Sequence, residues 1–109
     1  GQIRIAERGL MTTNPRIPCL VLGCRCTRRP FADGWNEWIC GKHWREVPRA
    51  MRRELSSIVR TYRRKFGDNG YWQYPPGSSQ RLEAVDLHNA WVAQWALCKV
   101  AAQDAALGI

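Results

Sequence analysis

The sequence has few histidines, few acidic residues and no long apolar run. Its 109 residues include two His and nine Asp or Glu, against seventeen Lys or Arg. Because no stretch of about 18 apolar residues occurs and the N-terminus has no basic stretch leading into an apolar core, neither a membrane span nor a secretory signal is expected. The length and the 45% hydrophobic content are typical of one small globular domain. We therefore predict a cytoplasmic protein with no membrane partner.

The shortage of acidic residues gives the chain a formal net charge of +8. Fourteen of the seventeen cations are Arg, whose planar guanidinium suits forked hydrogen bonds to phosphate. The excess is concentrated, since nine cations and only two acids lie from Lys42 to Lys65, whereas residues 83–109 carry a net charge of −2. This polarity favours polyanionic partners and does not indicate a fold.

Five cysteines are an odd number, so a closed set of disulfides would leave one thiol unpaired. Cys19 and Cys24 bracket a turn in which Gly23 can adopt a positive φ. Cys40 and His43 are three residues apart, so one helical turn places them on the same side. Three thiolates and an imidazole suit a tetrahedral Zn²⁺ ion. The spacing predicts a structural zinc site formed by Cys19, Cys24, Cys40 and His43.

Two cysteines remain outside this set. Cys26 is an alternative to Cys24, but a gap of one residue is awkward for two ligands of one small ion, so we prefer Cys24. Cys98 lies among Trp91, Trp95 and several alanines in a helical pattern. We predict that it is a small buried hydrophobic residue.

A hairpin is predicted next to the zinc ligands. Asp33-Gly34 is a typical hairpin turn, and Trp35–Ile39 is predicted to be a short aromatic strand that leads directly into Cys40. Indole rings at Trp35, Trp38 and Trp44 are expected to cover the metal core.

The first of two long helices is predicted over residues 48–66. Pro48 suits the first helical position, and Gly67 suits the C-terminal cap. The apolar residues recur at intervals of three and four and form one stripe, which consists of Met51, Leu55, Ile58, Tyr62 and Phe66.

The second long helix is predicted over residues 80–106, after an aromatic loop over 67–80. Ser79 suits its N-cap, and Gly108 ends it. Its apolar face is broad, with one line formed by Leu82, Val85, Val92, Trp95 and Lys99, and with Trp91, Cys98 and Ala102 beside it.

These elements resemble a treble-clef zinc finger, with two cysteines on a knuckle, a hairpin, and Cys-x-x-His at a helix start. More narrowly, the segments Pro-Cys-x-x-x-Gly-Cys, Thr-Arg-Arg and Trp-Ile-Cys-Gly-Lys-His-Trp-Arg resemble small uncharacterised proteins of bacteriophages and prophages, over about residues 16–65. The resemblance implies a phage or prophage origin and a metal role for Cys19, Cys24, Cys40 and His43.

The predicted fold class is α-rich, a small α+β fold with a treble-clef-like zinc finger and a short β-hairpin, followed by two long α-helices. Residues 1–14 are predicted to be a flexible arm, since untied termini are usually disordered. The remainder, 15–109, is predicted to be a single domain that consists of a zinc-binding core over 15–47, a basic helix over 48–66, the aromatic loop over 67–80 and the C-terminal helix over 80–106.

Catalysis is not expected. His-Asn-His nucleases share the treble-clef frame, but they need a metal-activating His and a general-base His in addition to any structural zinc. With His43 assigned to zinc, only His88 remains, inside the second predicted helix, and no acidic cluster could hold magnesium. We therefore predict a non-catalytic protein without a small-molecule substrate.

The basic helix is predicted to bind phosphates. On a helical wheel its arginines lie away from the apolar stripe, and we call this side the arginine face. Loop 25–29 is expected to extend it, because the zinc core would hold that loop near the start of the helix. A solvated face would mix charges of both signs more than this one does. The predicted nucleic-acid-binding residues are Arg28, Arg29, Arg49, Arg52, Arg53, Arg60, Arg63 and Arg64.

Two partner classes follow from this pattern. The first is nucleic acid, DNA or RNA, bound through the arginine face without base-specific contacts. The alternative is a bacterial host protein or ribonucleoprotein, bound by a host-takeover or anti-defence inhibitor resembling an anti-CRISPR. The aromatic segment Tyr71–Pro76 could stack on bases, anchor a protein partner or pack on the core, and core packing is the preferred interpretation.

Overall fold

The structure, a computed structural model, describes residues 15–108. This part of the chain is mostly helical, with one short two-stranded hairpin, which agrees with the α-rich prediction. It divides into two compact units at the Gly41–Lys42 bond. The flexible arm predicted over residues 1–14 lies outside the described residues. Among the described helices, none combines the length and the apolar character that crossing a membrane requires.

The first unit contains a loop that two short antiparallel strands close. Strand β1 (Ile17–Pro18) pairs with β2 (Thr27–Arg28), with Ile17 opposite Arg28. The loop between them carries three cysteines, Cys19, Cys24 and Cys26. Between residues 15 and 41, the buried residues of this unit are few, namely Ile17, Cys19, Val21, Ile39 and Cys40.

The strand predicted at Trp35–Ile39 is wrong, because these residues adopt no regular structure. The turn before them is present, since the Gly34 N–H donates to the Phe31 carbonyl at 3.2 Å and Gly34 has φ of 84°. The two strands that flank the cysteine loop pair with each other. Residues 35–39 therefore form no ladder of strand hydrogen bonds. Their contact with the cysteine loop is a backbone hydrogen bond from the Leu20 N–H to the Trp38 carbonyl at 2.9 Å.

The second unit consists of helices. The one-turn helix α1 (Gly41–Trp44) begins at the division between the units, and α2 (Arg49–Phe66) and α3 (Ser79–Leu107) follow, with a 3₁₀ turn at Tyr71–Gln73 between them. The bounds of both long helices agree with the prediction to within one residue. Pro48 precedes α2 as its N-cap and is not its first residue.

Helix α2 packs against α3 through the predicted apolar stripe. Tyr62 and Phe66 are buried together with Ala84 of α3. The Tyr62 hydroxyl donates to the Asn69 carbonyl at 2.6 Å, so the buried ring keeps its polar atom satisfied. At the other end of the pair, the Gln94 side-chain amide donates to the Met51 carbonyl at 3.1 Å.

Part of the apolar line predicted for α3 is wrong, since Leu82 is 60% and Val92 50% exposed. The side that packs carries Ala84 together with Cys98 and Ala102, which were predicted beside that line, and none of the three has exposed surface. Small side chains allow two helices to approach closely, and the larger rings at Trp91 and Trp95 pack beside them. Because α3 is apolar on two opposite sides, periodicity could not decide which side faces α2.

The N-cap of α3 is Ser78 and not Ser79 as predicted. The Ser78 hydroxyl accepts from the Arg81 N–H at 3.2 Å and donates to the Pro75 carbonyl at 2.7 Å. At the other end, Gly108 closes the helix in the left-handed conformation, as predicted.

Replacing this cap tests the assignment. We expect Ser78→Ala to lower the free energy of unfolding by about 1 kcal/mol, because it removes the acceptor for one unpaired N–H of the first turn. The matched variant Ser79→Ala is expected to change it by less than about 0.5 kcal/mol, since an exposed helical Ser is replaced by a better helix former. Urea denaturation followed by circular dichroism measures both, and equal losses would contradict the assignment.

Candidate metal centre and arginine face

Four residues with metal-binding side chains lie together in the structure. The ligand atoms of Cys19, Cys24, Cys40 and His43 all lie within 4.8 Å of one another. No disulfide links any of the five cysteines. The four residues are therefore close enough to bind a metal ion.

The distances and donor types are consistent with zinc. Thiolate ligands at about 2.3 Å from a tetrahedral Zn²⁺ lie about 3.8 Å from each other. The sulfurs of Cys24 and Cys40 are 3.9 Å apart. Cys19 and Cys40 are buried and Cys24 and His43 are half-buried. Three sulfurs and one imidazole nitrogen are the donor set of closed structural zinc sites, in which all four positions are taken by protein.

The backbone of the cysteine loop positions the first two ligands. Cys19 directly follows β1, and its N–H donates to the Cys26 carbonyl at 2.9 Å. The chain then turns, with the Cys24 N–H donating to the Val21 carbonyl at 3.1 Å. Gly23 takes φ of 83° at this turn, as the sequence predicts, and a side chain there would be strained. The loop thereby brings the first two thiols into one cluster.

The second pair of ligands follows from local helix geometry. Cys40 immediately precedes α1, and His43 lies in its single turn. The Cys40 N–H donates to the Cys19 sulfur at 3.3 Å. This hydrogen bond ties the second ligand pair to the first and compensates negative charge on sulfur.

Without an ion, the surroundings of the cluster favour neutral thiols. Burial raises the pKa of the Cys19 thiol, and it outweighs the backbone hydrogen bonds from Cys40 and Val21, which lower it. The pKa of Cys24 is also raised. A backbone hydrogen bond from Cys26 is the largest influence on it and lowers it, but burial and the neighbouring sulfurs outweigh that bond. Adjacent thiols resist ionising together, and a divalent ion supplies the compensating charge.

The two remaining cysteines lie outside the cluster. Cys26 is exposed, and its side chain does not belong to the group of four. Cys98 is confirmed as a small buried residue, with its sulfur 3.8 Å from the Met51 carbonyl oxygen of α2. Burial raises the pKa of the Cys98 thiol.

These differences predict a pattern of thiol reactivity. In the zinc-loaded protein, iodoacetamide at neutral pH is expected to modify Cys26 rapidly, because the cluster cysteines are held by metal and Cys98 is buried with a raised pKa. After chelation, the three cluster cysteines should react as well. Intact-protein and peptide mass spectrometry measure the sites, and Cys26→Ser is the control that should remove the fast adduct. Rapid labelling of Cys24 with protection of Cys26 would overturn the ligand assignment.

Most arginines of α2 lie on the side of the helix opposite its buried residues, whereas the Arg63 guanidinium lies over the ring of Trp91 in α3, 5.9 Å from its centre. Because successive residues of an α-helix are rotated by a constant angle, Arg49, Arg53 and Arg60 point in nearly the same direction, away from Tyr62. Five of the six arginines of α2 are exposed, namely Arg49, Arg53, Arg60, Arg63 and Arg64. Arg52 is half-buried, and its Nε donates to the Val47 carbonyl at 2.9 Å. One donor of its guanidinium is therefore engaged in an intramolecular hydrogen bond.

A shallow groove of about 800 Å³ follows the first half of this face. Two hydroxyl-bearing residues of its lining, Ser56 and Ser57, lie between the arginines and were not predicted from the sequence. Their position on the same side of the helical wheel was a signal that could have found them. Four arginines and two hydroxyls offer hydrogen-bond donors of the kind that phosphate oxygens accept, with Glu54 as the one acid lining the groove.

The two predicted arginines of the first unit differ in their contacts. Arg28 stacks on Phe31, with its guanidinium carbon 3.6 Å from the ring centre, and its Nε donates to the Arg29 carbonyl at 2.8 Å. Arg29 is exposed. The prediction that this loop extends the arginine face stays a prediction.

In the aromatic segment after α2, some side chains pack on the core and others are exposed. Tyr71 and Tyr74 pack against the buried residues of α2, with the ring of Tyr74 5.5 Å from that of Phe66. Trp72 is 65% exposed. The remaining histidine, His88, lies on α3 with its ring 5.3 Å from that of Tyr71. The preferred interpretation, packing on the core, thus holds for the two tyrosines.

Comparisons of the chain with protein-family models, with curated proteins and with solved structures found no match.

Proposed function

We propose that this protein is a zinc-stabilised, non-catalytic nucleic-acid-binding protein of phage type. The observation that carries the proposal is the one-sided distribution of arginine on α2, with four exposed arginines, Arg49, Arg53, Arg60 and Arg64, opposite the buried side of the helix. Each phosphate neutralised by such a group releases condensed counterions, so several contacts together give useful affinity.

The metal in this proposal is Zn²⁺ with a structural role. All four donors come from the protein, and two of the sulfurs are buried, which leaves no open position for a substrate. When bound, the ion would hold the cysteine loop to the start of α1. Native mass spectrometry should show one zinc per chain in Cys26→Ser and none in Cys40→Ala. Equal zinc content in both variants would refute the ligand set.

Fluorescence anisotropy with labelled single-stranded and duplex DNA and RNA tests the function. Binding is expected at low salt and should weaken steeply as salt rises, with little dependence on base sequence. Absence of binding to every probe at low salt would refute the proposal.

The exposed Trp72 favours a second candidate, an inhibitor that binds a bacterial host protein or ribonucleoprotein. Exposed Trp is enriched among the residues that dominate protein interfaces, and arginine faces also dock on acidic surfaces. A pull-down from nuclease-treated bacterial lysate separates the two candidates. A stoichiometric protein partner that is lost in Trp72→Ala but kept after nuclease treatment would favour the second.

A further inference from the structure

An aromatic ring lines the groove on the arginine face together with the arginines. The lining runs from Trp44, in α1, to Arg60, in the second half of α2. All the lining residues belong to the second unit. Phosphate oxygens need hydrogen-bond donors and positive charge, which the arginines and serines supply. The indole therefore offers a kind of contact that phosphate binding does not use.

The ring of Trp44 is held from one side and open on another. It packs at a tilt against the ring of Trp95 in α3, with the ring centres 6.1 Å apart. Trp44 is nevertheless half-buried and not fully buried, and its remaining surface lines the groove. A side chain that is already held in place loses little conformational freedom when a ligand packs on it. Trp44 thus provides a fixed, flat, apolar surface next to the arginines.

The donors of the groove follow one line along α2. Arg53, Ser56 and Arg60 lie four, seven and eleven residues after Arg49, so the four side chains project in nearly the same direction. The three arginines are exposed, and within residues 15–108 no hydrogen bond or ion pair engages their guanidinium groups. Glu54, the acid of the lining, projects about 140° away from Arg49. The line is about 16 Å long, which matches about five phosphates along one strand of stacked nucleotides.

The indole favours unpaired strands over duplexes as the ligand. In a duplex the bases stack on one another and present their edges to a protein, so their faces are not available to a ring in a groove. In a single strand the faces of unpaired bases are accessible, and an aromatic side chain that stacks on one strengthens binding about tenfold or more. A groove that combines cations for the backbone with an aromatic platform is the arrangement by which proteins bind single strands.

We propose that this groove binds single-stranded nucleic acid, with phosphates along Arg49, Arg53 and Arg60 and an unpaired base stacked on Trp44. This mode of binding rests on the proposed function and adds to it the class of nucleic acid and a residue that contacts a base. Every base has a flat face, so the groove selects unpaired strands and not a sequence. Duplexes meet the arginines alone and bind through their phosphates.

Fluorescence anisotropy with the full zinc-loaded chain tests the preference. The probes are deoxyuridine and uridine oligomers of about ten nucleotides, twice the expected footprint, and a duplex of the same length. At equal salt, the preferred single strand should bind at least about threefold more tightly than the duplex. The two oligomers share their base and differ in the sugar, so the tighter one identifies deoxyribose or ribose, and either result supports the proposal.

Variants of the ring test the stacking. Trp44→Leu keeps an apolar side chain without a flat face and should weaken single-strand binding about tenfold, while duplex affinity changes less than about twofold. Trp44→Phe keeps an aromatic face and should lose less than about threefold. The matched control is Trp72→Leu, which removes a 65% exposed indole outside the groove and should leave both affinities unchanged. Circular dichroism of each variant verifies that the helices are intact.

The outcomes separate this proposal from the proposed function. Absence of binding to every probe would refute both. Binding in which the duplex is held as tightly as the single strands would refute the groove's preference and leave the proposed function intact. Equal losses of single-strand and duplex affinity in Trp44→Leu would mean that the ring supports the fold and does not stack on a base. A loss in Trp72→Leu as large as that in Trp44→Leu would place the stacking outside the groove and overturn the assignment.

Photocrosslinking of the unmodified protein gives a readout that does not depend on how a variant folds. An oligomer that carries 5-bromouracil is bound at low salt and irradiated, and tandem mass spectrometry locates the adduct. We expect the adduct on Trp44, because the bromouracil ring would lie against the indole. Adducts on other residues with none on Trp44 would overturn the proposal.

Discussion

Chelation of the metal is expected to unfold the zinc-binding core, residues 15–47, at room temperature. Among the described residues of the first unit, few are buried and two of these are the ligands Cys19 and Cys40, so little other apolar burial stabilises this part once the ion is gone. Structural zinc contributes about 10 kcal/mol or more in small zinc domains, which is comparable with the whole stability of such a domain. Circular dichroism and tryptophan fluorescence, before and after EDTA, measure the loss, with Trp35 and Trp38 as internal reporters.

The cysteine variants separate loss of metal from loss of any thiol. Cys40→Ala removes a buried thiolate ligand and leaves three donors for the ion, so it should reproduce the effect of chelation. Cys26→Ser changes an exposed thiol close to a ligand in the chain and should leave the melting temperature within about 2 °C. Unchanged circular dichroism and melting after metal removal would show that the core is stable without the ion.

The helical part of the fold was largely predictable because its signals are local. Pro48, Gly67 and Gly108 mark where helices begin and end, and the single stripe of α2 has only one possible buried side. Helix α3 shows the limit of this reasoning. Its two apolar sides give no preferred direction, and the choice depends on where small residues let α2 approach, which is a property of the packed pair.

The metal site was predictable for a related reason. A Cys-x-x-His segment needs only one helical turn to place two ligands together, and Gly23 signals the tight turn between the other two. The strands around the site could not be predicted. Trp35–Ile39 has the aromatic composition of a strand but forms none, whereas the strands β1 and β2 were not predicted. Pairing is non-local, and β1 and β2 already satisfy each other across the cysteine loop. Strand propensity indicates that a segment can pair in a sheet, but it does not indicate which other segment it pairs with.

The arginine face was predictable in its direction but not in the contacts of its individual side chains. Its direction follows from the helical wheel and agrees with the exposure of five arginines. The charge pattern does not distinguish Arg28 and Arg52 from the others, although Arg28 stacks on Phe31 and Arg52 donates to a backbone carbonyl. Intramolecular partners of long side chains depend on atoms that no sequence pattern locates. The exposed members are therefore the better residues for testing function.

Replacing three exposed arginines of α2 is expected to reduce nucleic-acid affinity strongly and to flatten its salt dependence. The variant Arg53→Gln/Arg60→Gln/Arg64→Gln removes three charges from the formal +8, which leaves +5, and keeps good helix formers at exposed positions. If each arginine contacts one phosphate of a duplex, the slope of log K against log salt should fall by about 3, since each contact contributes about 0.9. Anisotropy titrations at several salt concentrations measure both quantities.

A control with the same net charge decides whether the face or the total charge matters. Gln73→Glu/Ser79→Glu/Gln80→Glu adds three negative charges at positions outside α2, so its formal charge is also +5. Two of these carboxylates lie in the first turn of α3, where they favour the helix. If phosphates bind the arginine face, the control should keep a slope close to that of the unmodified protein, while the slope of the arginine variant falls by about 3. Equal losses in both variants would mean that nucleic acid responds only to net charge, and the arginine face would then have no role as a binding surface.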